Sequence, residues 1–302
     1  MHSSKSNTVS YSLLTLAMLL TGANIGFGKA AVAIMPVVLF GLLRYVIAVI
    51  AMAPQYFKTG TRLTRGEWIN LCVQTFFGTF LFTLCMLYGV QHTTATAAGV
   101  ITSTLPATVA ILSRLILKEQ LSGRTMISIL LAILGIAVLT LAKTDTGTTT
   151  ATSSLIGNLF VIAAVICESI YVVFSKRLTG SLSPMRITAY SHLLGLFLML
   201  PFGLTAAWSY DFSTITINMW GIIIWYALAA SVFAFWLWLS GSKHVPANVA
   251  GIFTAFMPIA AAFVGVVFLH EQLSWAHLVA LILVLSGIAI ASWPQQFRRQ
   301  EV

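Results

Sequence analysis

Along nearly the whole chain, apolar runs of about 20 residues alternate with short polar breaks, the length a helix needs to cross the hydrocarbon of a bilayer. Ten such runs are predicted as membrane-spanning helices, at 11–29, 36–56, 68–90, 94–117, 124–142, 154–175, 185–207, 218–240, 246–269 and 275–293. The longest connections are Thr144–Ser153 and Tyr210–Asn218, so no soluble domain fits between the spans. The first run follows a lysine, as a signal peptide would. Ten alternating spans need it as the first helix, however, and no convincing cleavage motif follows it.

The polar punctuation repeats. An ungapped overlay of Gly89–Ala137 on Gly241–Ala289 matches His92 with His244, Ala98-Gly99 with Ala250-Gly251 and Pro106 with Pro258. It goes on to match Glu119-Gln120-Leu121-Ser122 with Glu271-Gln272-Leu273-Ser274, all at an offset of 152 residues. A weaker match sets Phe27 and Lys29 on Phe174 and Lys176. The fold expected is an all-α membrane protein of ten transmembrane helices in two five-helix repeats, residues 1–143 and 154–297, joined by the Thr/Ser/Gly-rich stretch between them. Five spans per half is an odd number, so the halves are expected to be inverted relative to one another. That arrangement offers two related packings of one bundle, the basis of alternating access.

Composition sets the solvent: 59% of residues are hydrophobic and only 8% charged, with a mean hydropathy of +0.95, against about 25% charged in soluble domains. The net charge of +9 reads as orientation and gives no reason to expect nucleic acid. With the N-terminus in the cytoplasm, twelve of the sixteen lysines and arginines fall on the cytoplasmic side and only Lys29 and Lys143 opposite. The positive-inside rule fixes that orientation, with both termini cytoplasmic. Trp68, Trp208, Trp220, Trp275 and Trp293 stand at span ends, as interfacial aromatics do. Cys72, Cys85 and Cys167 lie inside spans without paired spacing and are expected to pack as apolar residues; no disulfide, metal or cofactor is implied.

The spacing Lys29-x6-Pro36-x7-Arg44, the Ala-Gly-x6-Pro motif of the fourth and ninth spans and the two Glu-Gln-Leu-Ser turns together resemble the EamA family of the drug/metabolite transporter superfamily, over essentially the whole chain. The resemblance implies a secondary transporter of a bacterial-type inner membrane, an exporter of amino acids, other metabolites or drugs. No phosphate-binding Gly-x4-Gly-Lys-Ser/Thr loop occurs, and no catalytic Ser/His/Asp set stands out, so an enzyme is not expected. The partners expected are a small-molecule substrate, membrane lipid and, if Glu168 titrates, protons as the coupling ion; the unit is a monomer or homodimer.

Glu168 is the one acidic residue well inside a span. An ionised carboxylate at that depth costs roughly 2.5–3.5 kcal/mol on insertion scales, so it must face a wet cavity or a cation such as Arg44 or Lys29. Arg44, in the second span, is always charged and can clamp a carboxylate. Tyr171 follows Glu168 by three residues, on the same helix face. Asn24 lies within Gly22-x-x-x-Gly26, where small residues permit close helix approach. His192 either titrates or hydrogen-bonds a neighbour on its own helix, and Lys29 either snorkels or faces the cavity. Trp236, with Tyr88, Trp225, Tyr226 and Trp238, is a candidate for an aromatic wall. Gly99–Pro106 and Gly251–Pro258 interrupt equivalent spans, which marks them as candidate lining segments. Glu119 and Glu271 are read as turn residues, with Ser122 and Ser274 capping the helices that follow.

Overall fold

The computed structural model describes residues 2–57, 63–117, 123–141, 155–178, 181–242, 253 and 256–292, which are mostly helical with no strand among them. The helices are α1 (His2–Val32), α2 (Val37–Ala51), α3 (Arg65–His92), α4 (Ala95–Thr102), α5 (Leu105–Leu117) and α6 (Gly123–Leu141) in the first half. The second half contains α7 (Leu155–Leu178), α8 (Pro184–Ser209), α9 (Ile217–Ser242), α10 (Phe256–Leu269) and α11 (Trp275–Ser292). Among the described residues, five helices are long and apolar enough to cross a membrane by themselves: Thr8–Val32, Arg65–His92, Leu155–Val172, Pro184–Ser209 and Ile217–Ser242. Shorter apolar helices fall on the remaining expected spans. Gly251, His244 and the Glu119-Gln120-Leu121-Ser122 turn lie outside the described residues.

Several helix starts are written in local sequence. Thr64 and Glu67 close a reciprocal capping box ahead of α3, and Thr94 and Thr216 accept from Ala97 and Met219 at the starts of α4 and α9. Pro184 sits in the first turn of α8, where its missing N–H is no loss. The interruption expected near Pro106 is a true break between α4 and α5, because proline cannot donate to the preceding turn. At this break the carbonyls of Gly99, Val100 and Ile101 accept the hydroxyls of Thr102, Ser103 and Thr104 at 2.9, 2.6 and 2.7 Å.

Packing follows an exchange of the two halves. α2 lies along α8, α4 against α10 and α6 against α11, each with its own repeat counterpart. The contact of α1 with α9 is answered by α7 with α3, and that of α1 with α10 by α7 with α4 and α5. Thr93, at the end of α3, bonds both Lys29 at the end of α1 and Asn158 in the first turn of α7. The helix that opens the second half therefore starts at the face where α1 finishes. Outward positions such as Leu115, Phe197, Phe263 and Ile282 are exposed and apolar, whereas Asn24, Arg44, Thr79, Thr83, His192 and Ser231 are buried inside. Polar groups turned inward and apolar groups outward suit a protein whose surroundings are lipid.

Gly22 and Gly26 bring α1 onto α10: a Cβ at Gly22 would strike the Met257 carbonyl, and one at Gly26 the Val264 side chain. Gly66, by contrast, has open space around it. Gly22→Val is expected to lower the melting midpoint of the detergent-solubilised protein by the equivalent of about 1–3 kcal/mol or more, the cost of overpacking. Gly66→Ala should leave it level or slightly raised, a contrast that thermal unfolding followed by tryptophan fluorescence would read.

Candidate functional site

At the centre of the bundle α1, α2, α3, α7, α9 and α10, with the α4–α5 break, enclose a cavity of ≈ 90 Å³, room for several water molecules. Six of the residues singled out from sequence meet there: Asn24, Arg44, Glu168, Tyr171, Tyr226 and Trp238. Phe82, Tyr226, Phe235 and Trp238 supply an aromatic wall, and Thr102, Leu105 and Met257 bring in the interrupted segments.

The backbone around this cavity carries a feature that periodicity does not announce. α3 widens to a π-turn at Phe76–Leu81, and α9 does the same at Ala229–Phe233. Moved by the 152-residue repeat offset, the first π-turn falls on residues 228–233, so the two are counterparts. Single π-turns inside α-helices recur at functional sites. Both touch the cavity, through Gly78 and Ala230.

Arg44 ties the two π-turns together. Its Nε donates to Ser231, within the α9 π-turn, and its Nη1 to Thr83, just beyond the α3 π-turn, both at 2.7 Å. Tyr45 donates its hydroxyl to the Thr79 carbonyl of the same α3 turn at 2.7 Å. The guanidinium carbon stands 5.5 and 5.6 Å from the ring centroids of Tyr45 and Tyr226, within cation–π range. A buried cation is held here by neutral hydroxyls and aromatic faces. Two of its five N–H donors are committed to these two hydroxyls.

Among the described residues Glu168 consequently has no cation as its partner. Arg44 is engaged with hydroxyls, Lys29 pairs elsewhere, and the Lys29–Glu271 contact is the salt bridge found among the described residues. Asn24 is also open to a ligand: both polar atoms of its amide are buried without a hydrogen-bond partner among the described residues, and such atoms call for a water or a ligand.

The other sequence candidates fall elsewhere. His192 is fully buried behind the wall, against the rings of Tyr45 and Phe235, and its Nδ1 meets the Thr188 carbonyl at 2.8 Å. Lys29 lies at the end of α1, bonded to Thr93 and Glu271, away from the cavity lining. Of the two tryptophans expected near the end of α9, Trp236 is exposed on its outside, whereas Trp238 lines the cavity. The π-turn is the reason. On an unbroken helix of about 100° per residue, Trp236 would lie about 80° from Tyr226 and Trp238 about 120°. One extra residue in the wide turn removes about 100° of that rotation, bringing Trp238 to about 20° and Trp236 to the opposite side. Trp225 is likewise exposed, and Tyr88 packs on Phe160.

Glu271 does far more than shape its own turn. Oε1 accepts from Lys29 Nζ at 2.9 Å and from the Ala95 amide at 2.7 Å; Oε2 accepts from the Thr96 amide and hydroxyl, both at 3.0 Å. Burial alone would push this carboxyl up. The Lys29 charge and the two α4 amides outweigh it, holding the group below the ordinary glutamate range and charged at neutral pH. Local sequence carries no sign of these partners, which lie about 175 and 242 residues away.

Comparison with known proteins agrees with this architecture. The model of the EamA-like transporter family matches twice, at residues 8–141 and 155–293. The Bacillus subtilis (strain 168) protein named "Uncharacterized transporter YetK" is 39% identical over 285 residues, covering 93% of this chain and 86% of its own length. "Uncharacterized transporter YyaM" of the same organism is 24% identical over 254 residues, covering 84% of this chain and 82% of its own. A solved crystal structure superposes over 93% of this chain and 96% of its own with a TM-score of 0.66 at 19% identity, a likeness of fold.

Proposed function

The chain belongs to the EamA-like transporter family, and from that premise we propose that it is a secondary carrier of a small amphipathic metabolite bearing an ammonium group, such as an amino acid. It is a multi-pass membrane transporter by family and by the names of its relatives. The carrier works by alternating access between two inverted five-helix units, as an exporter in a bacterial-type inner membrane with both termini cytoplasmic. The exchange-related packing and the Thr93–Asn158 contact support the inverted reading.

The observation that carries the substrate reading is Glu168, a carboxylate on the central cavity with no cation paired to it among the described residues. A substrate ammonium supplies the missing charge, with Asn24 completing its hydrogen bonds. The uncommitted donors of Arg44 face a substrate carboxylate, and the aromatic wall takes an apolar side chain. When the cavity is empty, a proton on Glu168 serves the same end, which makes proton exchange the natural driving reaction.

Counterflow in proteoliposomes tests this. Vesicles preloaded with unlabelled leucine, phenylalanine, lysine or the amine isopentylamine are expected to accumulate the matching labelled solute, at least one amine-bearing probe well above protein-free vesicles. Absence of counterflow for every ammonium-bearing probe, alongside flux of a purely anionic solute, would overturn the reading.

A further inference from the structure

We propose that the Lys29–Glu271 pair is a gate: a latch that shuts the cavity at the face where α1, α3 and α10 end, and whose release opens it there. This inference rests on the transporter reading above. Four segments are tied at one point. Lys29 closes α1, its ammonium also donates to the Thr93 carbonyl at 2.8 Å, and Glu271 reaches from the α10–α11 turn to the first amides of α4. The same helices form cavity walls deeper in the bundle, through Asn24, Met86, Thr102 and Met257. Separating the two halves at this face requires the latch to break, because Lys29 and Glu271 belong to different halves.

The site is built for this carboxylate. Amides at a helix start favour an anion, and hydrogen bonds to a charged acceptor are the strong ones. Gly265 leaves the space it fills: a Cβ there would come within 2.5 Å of Glu271 Oε2 and 2.8 Å of the Thr96 hydroxyl. The turn bends back by placing His270 at φ 53°, and the Glu271 amide then donates to the Gly265 carbonyl at 2.9 Å. A non-glycine residue in that region is strained, and such strain collects at clamps and switches. His277, against Ser274 and 3.5 Å from the Thr94 hydroxyl, is a further titratable group beside the latch.

The test needs no substrate. A cavity reporter, Thr21→Cys on the α1 side of the cavity lining, is introduced with Cys72, Cys85 and Cys167 replaced by alanine, and labelled with a membrane-impermeant maleimide in right-side-out and inside-out membrane vesicles. Glu271→Gln removes the charge and half of the accepting capacity, while Lys29→Met leaves Glu271 on the α4 amides and guards against misfolding of the first variant. Each is expected to raise labelling from the non-cytoplasmic face about tenfold or more and to lower it from the cytoplasmic face, the range of an ordinary two-state coupling. Equal rises from both faces would mark the pair as a structural staple and overturn the gate, as would unchanged labelling. Counterflow measured on the same protein separates the outcomes: reversed sidedness without flux would sink the transport reading, and flux without a change in sidedness would sink the gate.

Discussion

A Glu168→Gln carrier, reconstituted beside the parent protein, is expected to move ammonium-bearing solutes at least about 30-fold more slowly and to lose the pH dependence of transport. The magnitude follows from leaving a desolvated ammonium without its counter-charge, which costs about 2 kcal/mol or more, and about 1.4 kcal/mol is a factor of ten. The amide keeps the shape and one acceptor oxygen but can neither carry the negative charge nor take up and release a proton. Folding should survive, because removing an unpaired buried charge relieves a desolvation cost; the melting midpoint is expected to hold or rise. Parent-like flux with a parent-like pH profile would remove Glu168 from the mechanism.

Arg44→Gln is expected to lose transport together with about 1.5–3 kcal/mol of stability, because its two charge-assisted hydrogen bonds disappear, a loss only partly offset by relief of a buried charge. Ser231 and Thr83 would lose their common donor, and the two π-turns their direct link. Arg44→Lys keeps the charge, but one ammonium on a flexible stem does not reproduce the planar fork that reaches both hydroxyls. It should melt between the parent and the glutamine variant. Counterflow of leucine and of isopentylamine, which lacks the carboxylate, then tells two roles apart. Joint loss of both identifies the link between π-turns; loss of leucine alone, with an unchanged melting midpoint, would leave Arg44 only a contact for the substrate carboxylate.

Both effects concern groups whose types were visible in the sequence and whose partners were not. The intramembrane positions of Glu168 and Arg44 follow from hydropathy, since charges that deep are rare and must be accommodated. Their mutual independence does not follow. From sequence, Arg44 is as good a partner for Glu168 as any substrate, and only the placement of Ser231 and Thr83 on either side of the guanidinium separates them. The Gly22-x-x-x-Gly26 motif announced a close helix approach, and the contact with Met257 and Val264 on α10 is what it serves. Trp236 shows where periodicity stops working, because a single wide turn rotates everything after it.

The sequence by itself determined the solvent, the helical class, the internal duplication and the residues that must be sheltered from lipid. These follow from run length, charge count and repeat spacing, which are properties of the chain in order. Only the tertiary structure decided which sheltered residues share a cavity, that π-turns recur in both halves, and that Glu271 closes a contact with Lys29 and α4. Each of these depends on side chains brought together from distant parts of the chain, or on one residue's change in helical winding. Neither leaves a mark in local composition.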